Sequence, residues 1–219
     1  MVTRLHLIRH GATTLSAEDR FAGAVDVPLS DEGRAQARRL GERLASTKLS
    51  ALYASPLSRT VETARLVGGP QNLEPHLEAG LREIAHGHWE GLRRQDVEEK
   101  FATEYEAWEN DPFTFAPPDG ETGLAVMARA LPVVREIVLR HPDQNVAVIS
   151  HKATIRLLLC SLLGIDARGY RDRLDQSPAC LNALDFKDPV RARLVVYNDT
   201  SHYVTHPAAS GSRLSKWWG

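Results

Sequence analysis

The chain has 219 residues, a formal net charge of -1, 42% apolar residues and 25% charged residues. That length suits one substantial core, and so even a charge balance offers no basic face for nucleic acid or an anionic membrane surface, so neither partner is expected. No run is apolar enough to span a bilayer, and the start "MVTRLHLIRH" is too short and too polar for a secretory signal, so a cytoplasmic protein is expected. Cys160 and Cys180 lie far apart without Cys-x-x-Cys spacing and are read as buried thiols.

In chain order, residues 3–8 form the first strand candidate and run into Arg9-His10-Gly11 within "LHLIRHGAT". In "LSDEGRAQARRLGERLAST", Ala37, Leu40 and Leu44 share one helical face, Arg34, Arg38, Arg39 and Arg43 form the wet face, and Ser30 is the N-cap. A second strand at 49–54 leads into "ASPLSRTVETARLV", read as a helix capped by Ser55 with Pro56 in its first position. From Ile84 to Thr122 the pattern turns aromatic and charged and closes in a proline-glycine turn, which predicts a helical lid insertion at about residues 85–122. Pro132 interrupts the next helical pattern, "LAVMARALPVVREIVLRH", and is expected to kink or divide it. A third strand at 145–150 precedes a helix through "KATIRLLLCSLLG" that Gly164 closes. Strands at 180–186 and 191–197, joined by "KDPV", read as an antiparallel hairpin at an edge.

Helices that follow strands imply parallel pairing. The expected fold is therefore α/β: a three-layer α/β/α sandwich with a mostly parallel central sheet, an antiparallel edge strand and the lid, all in one domain over 1–219. Ligands of such sheets gather at the carboxyl ends of the strands. Three predicted strand ends carry Arg9 and His10, Arg59, and His151, and Glu83 in "LREIAHGHWEG" can reach the same mouth. Guanidinium forks and helix N-termini suit a phosphate or another oxyanion. Singly, each residue also fits a bland role: a hydrogen-bonded histidine, a helix-surface arginine, an exposed ion pair. Their joint placement favours a site.

These residues lie in five ordered stretches, "LIRHGAT", "RFAGAVDVPLSDEGRAQARRL", "YASPLSRTVETA", "LREIAHGHWEG" and "VISHKATIR", and over nearly its whole length the chain resembles the histidine phosphatase superfamily, also called the phosphoglycerate mutase-like family. The resemblance implies that His10 is a nucleophile that becomes transiently phosphorylated. It also implies that Arg9, Arg59 and His151 stabilise the transferring phosphoryl group and that Glu83 handles the leaving-group proton. No cofactor and no metal are expected, because the arginines supply the positive charge and the remaining histidines form no recognisable ligand set. Gly11 and Gly23 are read as loop glycines near the phosphate, Gly23 as a source of backbone donors. Ser16 stands where the family usually has asparagine. Lys152 stands where it often has glycine, either adding a cation to the pocket or pointing away along its helix.

The short segment with "AWENDPFTFAPPDGET", where mutases of the family resemble one another in a longer lid with paired arginines, favours a phosphatase. "IAHGHWEG" resembles metal-independent phosphoserine phosphatases, in which a histidine near the glutamate meets a substrate carboxylate; His86 takes that place here or is a turn histidine bonded to backbone. His202 is read as approaching the same mouth from the carboxyl-terminal side. A small phosphorylated metabolite, phosphoserine among the candidates, is the expected substrate. The alternatives are a phosphoglycerate mutase, an α-ribazole or glucosyl-phosphoglycerate phosphatase, a phosphoprotein phosphatase, or a phosphate-ester binding protein without turnover. Glu90, Trp89, Trp108, Phe113 and Phe115 are read as pocket walls or as core of the lid. The tryptophans of "SKWWG" would dock on the body or on the second subunit of a homodimer.

Overall fold

A computed structural model describes residues 2–15 and 19–204. Its six-stranded sheet runs in the order β3-β2-β4-β1-β5-β6, with β1 Thr3–Arg9, β2 Leu49–Ala54, β3 His76–Leu77, β4 Asn145–Ser150, β5 Leu181–Phe186 and β6 Ala192–Asp199. β1 to β4 pair in parallel, while β5 runs against β1 and β6 against β5. This is the mostly parallel sheet with an edge hairpin that the sequence predicts. The two-residue β3 is too short to leave a period in the sequence.

Alternation along the central strands sorts side chains to two faces. Leu5, Leu7, Val146 and Val148 join one core with residues of α5 (Gly123–Arg140) and α6 (Lys152–Leu163). Ile8, Ala147 and Ile149 join another with α1 (Asp31–Leu44) and α2 (Ser58–Gly68). The sheet is thus covered on both faces, giving three layers. The remaining helices are α3 (Arg94–Lys100), α4 (Ala102–Asn110) and α7 (Tyr170–Arg173). Cys160 and Cys180 are buried free thiols. No helix of the described residues is long and apolar enough to cross a membrane.

Ser30 caps α1 as expected, its hydroxyl accepting from the Gly33 N–H at 3.1 Å. Arg38 and Arg39 are exposed, whereas Arg34 and Arg43 are half-buried against Glu62 and Asp199. Two further expectations are corrected. Pro132 does not divide α5, which runs through it; the proline is exposed, so water can meet the carbonyl it leaves without a partner, while buried Ala130, Val134 and Ile137, on either side of it, join the core of the sheet. Nor does Ser55 cap α2. The Ser55 N–H continues the sheet by donating to the Ile149 carbonyl at 3.1 Å, and the helix begins at Ser58, whose N–H is met by the Asp26 carboxylate at 2.8 Å.

Candidate active site

Register brings three strand ends to one level. Arg9 lies opposite Ser150 and Ala54 opposite Ile149, so His10, Ser55 and His151, each one residue beyond its strand, meet above the sheet. The His10 and His151 rings stand edge to face with centroids 5.2 Å apart. Both are buried.

His10 Nδ1 lies 2.7 Å from the Gly11 carbonyl oxygen. A carbonyl only accepts, so Nδ1 carries the proton and the Nε2 lone pair is free. Burial, reinforced by Arg9 and Arg59, pushes the His10 pKa well below the ordinary histidine value and keeps the ring neutral. His151 is likewise held well below, by burial and then by His10 and the arginines. Its Nδ1 accepts from Arg59 Nε at 3.2 Å, which leaves Nε2–H to donate to the Ser55 hydroxyl at 2.8 Å.

Arg59, on the first turn of α2 and buried, is aimed by the loop beside it. Its two terminal nitrogens donate to the carbonyls of Val25 at 2.7 Å and Gly23 at 2.8 Å. Arg9 Nη1 donates to the Gln176 carbonyl at 2.7 Å, and Gln176 is fixed in turn by a hydrogen bond to Asn182. Glu83 sits over the start of α6: Oε2 accepts from the Ala153 N–H and Oε1 from the Thr154 N–H, both at 3.1 Å. A carboxyl group there also meets the positive end of the helix dipole. Arg129 of α5 clamps the backbone around it, donating to the carbonyls of Gly80, Arg82 and Glu83.

Arg9, Gly23, Arg59, Glu83, His86, Lys152, and Trp108 from α4 all border one cavity of about 320 Å³. His10 and His151 are buried and do not border the cavity themselves, but Arg9 and Arg59, whose charges bear on His10, do; two arginines beside a neutral, oriented imidazole match a phosphoryl-transfer site. Residues 5–200 match the histidine phosphatase superfamily (branch 1). The chain belongs to this superfamily. It is 34% identical over 165 residues to phosphoserine phosphatase 1 of Hydrogenobacter thermophilus, covering 75% of this chain and 78% of that protein. It is 32% identical over 183 residues to the adenosylcobalamin/alpha-ribazole phosphatase of Escherichia coli K12, covering 83% and 89%. The solved structure of Bacillus stearothermophilus YhfR superposes with a TM-score of 0.86 at 30% identity, over 91% of this chain and 98% of that one. The protein is a phosphatase of the superfamily.

Several expected site residues take other places in this histidine phosphatase. Gly11 is needed for packing against α1, since a Cβ there would lie 2.4 Å from the Gly33 carbonyl oxygen. Gly23, at φ +47° with Glu90 crowding its missing side chain, offers its carbonyl to Arg59 and so contributes an acceptor. His202 does not border the cavity: it stands edge to face on Tyr203. Ser16 and the terminal tryptophans lie outside the described residues. His86 does reach the cavity, packed on Phe21 and Trp108, and burial holds its pKa down to about 4. Trp89 is fully buried core, Trp108 is both core and wall, and Glu90 ties two loops together by accepting from the N–H groups of Ala24 and His86. Ser55, Gln176, Thr154 and Arg129 were not singled out by sequence as parts of the site. A serine one residue past a strand whose neighbour ends in histidine is the signal that could have found Ser55.

Proposed function

We propose that this phosphatase hydrolyses small phosphorylated metabolites through a phosphohistidine on His10, with phosphoserine the ester to test first. The observation that carries the reading is the His10 ring itself, buried between Arg9 and Arg59 with Nδ1 tied to the Gly11 carbonyl and Nε2 free. The Nε2 lone pair attacks phosphorus in line as the bond to the ester oxygen breaks. Arg9 and Arg59 hold the equatorial oxygens, and His151, braced by Ser55, completes the cradle. Glu83 gives its proton to the departing alkoxide. In the second half it takes a proton from water, whose oxygen attacks phosphorus; the nitrogen–phosphorus bond breaks and neutral His10 returns.

Residues 85–122 act in this reading as a lid that selects the ester. Phosphoserine is supported by the name of one relative and by the position of His86 on the cavity wall; a neutral imidazole can still donate one hydrogen bond to a carboxylate. The test is phosphate release in excess chelator from phosphoserine, 3-phosphoglycerate, sugar phosphates and α-ribazole phosphate, with rapid-quench trapping of labelled enzyme. Chelator-resistant turnover and an acid-labile protein phosphate, both lost in His10→Ala, are expected. Turnover that survives in His10→Ala would overturn the mechanism, and tight ester binding without release or label would make the chain a binding protein.

A further inference from the structure

The cavity holds more positive charge than one phosphate requires. Besides Arg9 and Arg59 it is bordered by Arg20, which donates to the Gly91 carbonyl at 2.7 Å, and by Arg94, Lys152, Arg156 and Arg171. Two of these are balanced by acids: Arg94 pairs with Asp19 at 3.4 Å and Glu109 at 3.7 Å, and Arg171 pairs with Glu109 at 3.1 Å and Asp172 at 3.6 Å. Arg171 also lies 4.2 Å over the Trp108 ring. Lys152 and Arg156 differ, because they share the single carboxylate of Asp175, at 3.9 and 3.4 Å. The same Asp175 oxygen already accepts from the Gln176 N–H at 2.8 Å.

Arg156 is almost wholly buried, its side chain only 5% exposed, and its Nε has no hydrogen-bond partner among the described residues. Arg9 Nε and two nitrogens of Arg171 are likewise buried without a hydrogen-bond partner among the described residues, so this side of the cavity offers several guanidinium N–H donors that an anion can meet. Lys152 and Arg156 are four apart on α6 and therefore share a face. That face rises from the helix start that also holds Glu83, the residue placed nearest the leaving group. Burial, with Arg156 and Arg9 nearby and Asp175 opposing them, holds the Lys152 ammonium down to about 7; an arriving anion would supply the missing counter-charge. His86, neutral and wedged between Phe21 and Trp108, brings no charge of its own.

We infer that Lys152 and Arg156 form a second anion subsite on the leaving-group side of the cavity, so that the substrate is a phosphomonoester bearing a further carboxylate or phosphoryl group. This rests on the phosphatase reading above, and it gives the larger share of the recognition of that group to Lys152 and Arg156, with His86 adding one hydrogen bond.

The test uses matched esters and does not depend on turnover. Dissociation constants are measured in the His10→Ala protein for phosphoserine against phosphoethanolamine, which lacks only the carboxylate, and for fructose 1,6-bisphosphate against fructose 6-phosphate. The doubly anionic member of at least one pair should bind roughly tenfold more tightly or better, and which pair does so identifies the second group. Lys152→Met, at a half-exposed position that should tolerate it, is expected to erase most of that ratio, Lys152→Arg to keep it, and His86→Asn to leave most of it. Equal binding of both members of both pairs would overturn the subsite, as would a Lys152→Met effect of equal size on each member or a ratio lost only in His86→Asn. Failure of phosphohistidine trapping with these ratios intact would count against the catalytic mechanism alone.

Discussion

The catalytic floor at the strand ends and the wall of the cavity beside it are held by different forces. On the floor, backbone pairing does the positioning: the His10 N–H donates to the Ser150 carbonyl at 3.0 Å and the Ser55 N–H to the Ile149 carbonyl at 3.1 Å, so three strand ends share one register. A slip of one residue would turn every side chain to the opposite face. The wall residues Phe21 and Trp108 belong to a packed aromatic cluster with Trp89 and Tyr105, ring centroids 5.3 to 6.4 Å apart, and Glu90 ties the turn at His86 to the loop that aims Arg59. Packing of this kind tolerates repacking where register does not. The histidines and arginines at the strand ends are therefore tied to the sheet, while the aromatic wall can change without disturbing them.

The largest break in this division should come from Glu83→Gln on the floor. It should lower kcat for alkyl phosphates on the order of a thousandfold, with a much smaller loss for p-nitrophenyl phosphate, whose leaving group needs little proton donation; equal losses on both would remove the proton-donor role. Trp108→Ala strikes the wall. A Trp→Ala change at a buried position costs about 3 kcal/mol or more, so the denaturation midpoint should fall, while the folded fraction keeps its phosphohistidine and changes its ranking of esters. An unchanged ranking would show that the wall does not select.

Acid provides a milder test, because the buried histidines of both regions are held neutral. A base whose folded pKa lies below its unfolded value binds fewer protons in the folded state between the two. Stability is thus full above about pH 6.5 and is lost as pH falls; for His86 the window extends down to about 4. His86→Asn should flatten the fall in unfolding free energy from urea titration between pH 6.5 and 4 by about 3 kcal/mol, and an unaltered slope would mean that the ring does not titrate there. The smallest effect is expected from Ser55→Ala, which leaves His151 Nε2–H without its acceptor. It should lower kcat about tenfold with KM little changed, with rescue by threonine as the sign of positioning through a hydroxyl.

Most of the floor was legible in the sequence, since each of its elements advertises itself locally. The strands at 49–54 and 145–150 stand where their β-branched and aliphatic runs predicted, Ser30 caps α1, and Gly164 closes α6 with φ 68°. The misreadings share one cause. Ser55-Pro56 is a good helix start by local chemistry, yet a hydrogen bond to Ile149, far along the chain, drew Ser55 into the sheet and freed its hydroxyl for His151. Gly11 suggested close approach of a ligand, but what approaches is Gly33. His202 carried no local pattern that could fix its side of the fold.

The sequence by itself determined which stretches become strands and helices, and that arginine and histidine follow three strand ends, because periodicity, capping and turn chemistry act over a few residues. Only the tertiary structure decided which nitrogen of His10 is free, that Ser55 holds His151, that Gln176 aims Arg9, and that Lys152 and Arg156 share the single carboxylate of Asp175. Each of those facts is a short-range interaction between groups distant in the chain. Hydrogen bonds and ion pairs depend on distance and direction in space, and sequence spacing sets neither until the sheet has closed.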